Sequence, residues 1–104
     1  MNESKIDGNY IVTRNETFNG MITGRTTVKS GAKFINCGML CNDVIVEENA
    51  SFVNRGMVTG NIIGEGSAEI WGMVNGKVSS TLNIFIHKDS VINGTRYKID
   101  EITA

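Results

Sequence analysis

The chain has no proline and a single histidine, His87, and its only cysteines are Cys37 and Cys41. Two cysteines this close together are too few for the disulfide framework of a secreted miniprotein, so the sequence predicts a cytoplasmic setting. Neither sign of charge is in excess. Ten basic residues face 11 acidic ones and the net charge is −1, which lacks the positive footprint of a protein that binds nucleic acid or an anionic membrane surface. Long hydrophobic runs are missing as well. The N-terminus holds no apolar stretch of signal-peptide length, and nowhere are there the roughly 18 apolar residues that a membrane span requires. With 104 residues, 40% of them hydrophobic and 20% charged, the composition is that of one folded domain rather than a disordered tail.

Glycine is what the chain has in quantity, at 12 residues. Without proline it must make the turns. Those turns recur. Gly20-Met21-Ile22-Thr23-Gly24 returns as Gly38-Met39-Leu40-Cys41-Asn42, Gly56-Met57-Val58-Thr59-Gly60, Gly72-Met73-Val74-Asn75-Gly76 and Ser90-Val91-Ile92-Asn93-Gly94, at offsets of 18, 18, 16 and 18 residues. A second pattern runs in the same register: Val28 to Phe34, Val46 to Phe52 and Gly64 to Ile70 each enclose a turn followed by Ala32, Ala50 or Ala68, with a partial copy from Val12 to Phe18.

Inside each copy apolar residues alternate with others, as in Leu40, Asn42, Val44, Val46. That is period two, the pattern of strands, and no stretch carries a helical apolar stripe. Short strands repeating at this interval, with similar residues at similar places, predict a parallel β-solenoid whose coils lie about 4.8 Å apart. The expected fold is all-β: one short right-handed parallel β-helix of about five coils, 16–18 residues per coil. It is expected over residues 9–95, between a flexible N-terminal segment (1–8) and a C-terminal segment (96–104) that covers an end.

The offsets define columns. Ile22, Leu40, Val58, Val74 and Ile92 form one; Thr26, Val44, Ile62 and Val78 a second; Ala32, Ala50, Ala68 and Ile84 a third; Phe34, Phe52, Ile70 and Ile86 a fourth, with Phe18 beneath. All are apolar or small and are expected inside. Asn19, Asn36 and Asn54 are expected at one corner as a ladder of side chains, tolerant of left-handed backbone, that Trp71 interrupts.

The phrase Gly-x-hydrophobic-x-Gly-x-hydrophobic, as in Gly56-Met57-Val58-Thr59-Gly60-Asn61-Ile62 and Gly72-Met73-Val74-Asn75-Gly76-Lys77-Val78, resembles the repeat of the bactofilins, bacterial cytoskeletal proteins that form polymers. The resemblance covers roughly residues 9 to 95. It implies a β-helix whose ends stack on those of other subunits to make nonpolar filaments, without nucleotide. The chain departs from that family in lacking Pro-rich tails, in its methionine column, and in its charged last residues, Thr95 to Ala104.

Catalysis is not expected. The register brings no serine or cysteine nucleophile to His87. Cys37 and Cys41, read on one strand face, would stand about 13 Å apart at 3.3 Å per residue, too far for a disulfide or one zinc ion. Glu47, Glu48, Glu65 and Glu69 lie on adjacent coils, but Lys29 is expected under Glu47, as Arg25 is under Asp43, and a solenoid wall offers no deep pocket. No cofactor or metal is expected. The outer surface carries the functional signal. If Ile22, Leu40, Val58 and Val74 point in, alternation turns Met21, Met39, Met57 and Met73 out, in line with Val91. Across the corner an outward column of Ile35, Val53, Trp71 and His87 is expected, so that the two merge into a protein-binding patch. The expected partner is protein: a second copy through the solenoid ends, in a bactofilin-like self-assembling scaffold, or another protein through the Met/Trp wall, as in an immunity or inhibitor protein that blocks a toxin domain.

Overall fold

The computed structural model describes residues 5–79 and 81–93. Among them there is no helix. The first coil carries β1 (Lys5–Ile6), β2 (Tyr10–Val12) and β3 (Glu16–Phe18), and the second β4 (Met21–Ile22), β5 (Thr26–Val28) and β6 (Lys33–Asn36). The third holds β7 (Met39–Leu40), β8 (Val44–Val46) and β9 (Ser51–Asn54), and the fourth β10 (Met57–Val58), β11 (Ile62–Gly64) and β12 (Ser67–Ile70). In the fifth, β13 (Met73–Val74) and β14 (Asn83–Ile86) flank Val78, which forms a single parallel bridge to Ile62, and β15 (Val91–Ile92) opens a further turn.

Every strand pairing is parallel, and the strands stack into three sheets, in the orders β1-β4-β7-β10-β13-β15, β11-β8-β5-β2 and β14-β12-β9-β6-β3. The protein is thus a parallel β-solenoid of about five turns, as the repeat requires. The first described strand already pairs with β4, so the solenoid reaches below residue 9. The segment expected to cover an end, 96–104, lies outside the described residues.

The core is the stack of inward residues. Ile22, Leu40, Val58 and Val74 lie in one register and none is exposed. Tyr10, Thr26, Val44, Ile62 and Val78 form the next column. Phe18, Phe34 and Phe52 fill the middle, with successive ring centroids 6.0 and 6.2 Å apart.

Two columns differ from expectation. Phe34 and Phe52 are followed by Ala68 and Ile84, not by Ile70 and Ile86, and the column of Phe18 continues through Asn36, Asn54, Ile70 and Ile86. Ala32 and Ala50 are followed not by Ala68 but by Gly66 and then Leu82, since Ser67 N–H donates to the Ala50 carbonyl and Asn83 N–H to that of Gly66. The coil shortens earlier than the sequence spacing suggests. In the third coil the turn after Val46 is a bulging one, with Asn49 at φ 68° and Ala50 N–H donating to the Glu47 carbonyl at 2.9 Å. In the fourth coil Gly64, at φ 130°, cuts the corner directly. A slip of two residues keeps every side chain on its face, because strand side chains alternate with period two.

The ladder of asparagines is real but shorter than expected. Asn36 and Asn54 are fully buried, and Asn36 Nδ2 donates to Asn54 Oδ1 at 2.9 Å. Asn19 lies outside it, one residue past Phe18 in the neighbouring column, and the residue that ends the series is Ile70, not Trp71. Neither buried asparagine has positive φ. They serve as internal hydrogen-bonding bridges. The corner after them is glycine for a steric reason: a Cβ on Gly38, Gly56 or Gly72 would collide with the carbonyl oxygen of the glycine one coil below.

Candidate functional site

The methionine wall forms as alternation dictates. Met21, Met39, Met57 and Met73 stack in one register on the first sheet, above Lys5 and below Val91, and all four are partly exposed while their neighbours Ile22, Leu40, Val58 and Val74 are buried. The column faces outward. Val91, at its upper end, is 45% exposed.

The second outward column is arranged differently from expectation. Ile35 and Val53 pair in register, but the residues above them are Glu69 and Phe85. Val53 is only 6% exposed. Trp71 and His87 belong to the corner column that begins Asn19, Cys37 and Arg55, shown by the bonds Cys37 N–H to Phe18 O, Arg55 N–H to Asn36 O, Trp71 N–H to Asn54 O and His87 N–H to Ile70 O. The cause is the same two-residue shortening. In this column Trp71 is engaged within the chain: the His87 ring stacks on it at 4.3 Å from above, the Arg55 guanidinium lies 5.1 Å from its centroid from below, and its Nε1 donates to Glu69 Oε2 at 2.8 Å. Both faces of the ring are thus already in use. His87 Nδ1 accepts from Asp89 N–H at 3.1 Å.

A third outward column was not singled out in the sequence. The centres of β2, β5, β8 and β11 are Ile11, Thr27, Ile45 and Ile63, in register, with Ile11 59% and Ile63 39% exposed. The signal was present in the alternation, since each lies between two inward residues. Beside Ile45 and Ile63, above the shortened turn, a shallow groove of about 460 Å³ runs past Glu47, Glu48, Glu65, Ser79 and Thr81. Lys29 Nζ sits 3.0 Å from Glu47 Oε2, and this bond, with a second from Ser30 N–H, holds the Glu47 carboxyl below the usual carboxylate range. The other expected pair does not form. Arg25 makes no ion pair with Asp43, whose Oδ1 instead accepts from Asn61 N–H at 2.9 Å, a role that Asn9 and Asn61 repeat toward Arg25 and Lys77.

Cys37 and Cys41 are both free thiols. They do not share a strand: β7 lies between them, and they occupy separate corners, Cys41 above Thr23 and below Thr59. Among the described residues no three His, Cys, Asp or Glu side chains gather to hold a metal ion, and no helix is long and apolar enough to cross a membrane.

The ends of the stack complete the picture. At the lower end Tyr10 Oη donates to the Glu16 carboxylate, 2.7 and 2.8 Å from its two oxygens. Burial first, then the bond to Glu16, raises the Tyr10 phenol to about 12. At the upper end the partly buried Ile84 and Ile92 pack on the core. Comparison of the chain with protein-family models, curated proteins and solved structures returns no match.

Proposed function

We propose that the chain is a non-catalytic, bactofilin-like scaffold of the cytoplasm that associates with its own copies through the ends of the solenoid. One observation carries this reading: the parallel pairing of coil on coil continues in the same register to the last described strand at each end. Among the described residues an end is therefore built like an internal coil junction without a further strand beyond it, and an unpaired strand edge is a template for another chain. Ile92 tests it. Val91 and Asn93 direct their amides down to the carbonyls of Gly72 and Val74, which leaves the Ile92 amide on the upper edge. Ile92→Pro removes that donor without breaking a bond to the coil below. In light scattering and electron microscopy the wild type is expected as assemblies of more than one chain, and the proline variant as single chains with unchanged circular dichroism. Assemblies that persist in the variant count against end stacking.

A second reading rests on the outward methionine column. Here the chain is a monomeric module that blocks another protein, as an immunity protein blocks a toxin domain, through Met21, Met39, Met57 and Met73. Methionine adapts to varied surfaces. Trp71 flanks the methionines across the glycine corner in this reading, while Ile35 and the buried Val53 stack in a separate column under Glu69. The double variant Met57→Ser, Trp71→Ala separates the two: it abolishes capture of a partner through the wall and leaves assembly through the ends intact.

A further inference from the structure

The two ends of the core differ in kind. Each inward column of the second and third sheets starts at the lower end, and two start with a polar residue: Tyr10 lies beneath Thr26, and Glu16 beneath Phe34. Both are only partly buried. Glu16 thus keeps contact with solvent, and among the described residues the Tyr10 hydroxyl alone bonds to its carboxylate. No cation among those residues forms an ion pair with it. The ion pairs among the described residues are Lys5–Asp7 and Lys29–Glu47. Among the described residues the inward columns reach the upper end as Val78, Leu82, Ile84, Ile86 and Ile92, all apolar.

A copy stacked on the lower end would turn Glu16 from the last residue of a column into an interior one. Its carboxylate would lose its contact with solvent inside a continuous core, with no ion-pair partner among the described residues. If two lower ends met about a two-fold axis, two such carboxylates would face each other across one junction, adding repulsion to desolvation. The upper ends carry no such obstacle among the described residues, and a two-fold contact there is closed once made.

We propose that Glu16 closes the lower end to self-association, so that the partner of this chain is a second copy joined through the upper end alone and assembly stops at a pair. The inference rests on the end-stacking reading and narrows it from filaments to a closed dimer. Glutamate at this position is then a device against unlimited edge-to-edge growth, comparable to the inward charges that protect exposed strand edges.

The full-length wild type, Glu16→Leu and Glu16→Gln are compared by light scattering and negative-stain electron microscopy at neutral pH. Glutamine keeps the shape and a bond to Tyr10 while removing the charge, so it decides the matter if leucine disturbs the first coil. The expected result is twice the 11.3 kDa chain mass for the wild type and elongated stacks for the neutral variants. Wild-type filaments would overturn the end stop and leave end stacking standing. Folded variants that remain pairs would overturn the stop as well. If neither the wild type nor any variant associates, the end-stacking reading fails and this inference with it.

Discussion

Val58 sits at the centre of the first inward column, between Leu40 and Val74, with no exposed surface. An aspartate there is an unpaired charge in a dry core, and its cost of several kcal/mol is comparable with a total stability of about 5 to 15 kcal/mol. Val58→Asp is expected to abolish the β signal in circular dichroism; an unchanged melting temperature would show that the column is not interior. Asp43 is the contrasting case. As a surface ion pair with Arg25 it would contribute little, but its oxygen holds the Asn61 amide of the next coil. Asp43→Ala is therefore expected to cost about 1.5 to 3 kcal/mol in denaturant unfolding, as a lost hydrogen bond to a charged acceptor does. Asp43→Asn, which keeps the acceptor, should recover most of that loss, and equal losses in the two variants would refute the capping role.

Within the elements, the corner between the third sheet and the first depends on Asn36 and Asn54. Asn36 Oδ1 accepts from Gly38 N–H at 3.0 Å, its amide donates to Asn54 Oδ1, and Asn54 Nδ2 donates to the Met73 carbonyl at 3.0 Å. The two side chains link successive coils from inside. Asn54→Ala removes the shortest acceptor of the Asn36 amide, which keeps longer bonds to the Gly38 and Met57 carbonyls at 3.3 and 3.4 Å, and removes a donor from the Met73 carbonyl, at about 0.5 to 1.5 kcal/mol for each bond lost. The expected readout is a large drop in the denaturation midpoint, whereas Asn19→Ala, outside the ladder, should leave it nearly unchanged. Glycine has no substitute at the same corner, because the carbonyl of the coil below occupies the place of a Cβ.

At the scale of the whole molecule, the lower end adds a dependence on alkaline pH. Tyr10 titrates at about 12 rather than its ordinary 10, from burial first and then from its bond to Glu16. A pKa raised on folding means that the folded chain holds the phenol proton more tightly, so the resulting stability is fully present below about pH 10 and is lost as pH rises toward 12. Unfolding free energies measured across that window should fall in the wild type and fall less in Tyr10→Phe. Equal slopes would mean that the Tyr10–Glu16 bond does not contribute at the end of the stack.

The architecture follows from repeat length and alternation alone. A period of 16 or 18 residues with alternating apolar positions can bury its hydrophobic face only by stacking copies, so the parallel solenoid, the inward Ile22 and Val58 column and the outward methionines were all legible in it. Local spacing was blind to where the coil shortens, because a two-residue slip preserves the parity of every strand. Only the tertiary structure placed that slip at Gly64 rather than after Ile70, and with it set Trp71 over Arg55 instead of Val53. The burial of Asn36 and Asn54, the capping oxygen of Asp43 and the Tyr10–Glu16 pair were likewise decided in three dimensions. Each depends on which side chain of another coil lies within hydrogen-bonding distance, and the repeat alone does not specify that.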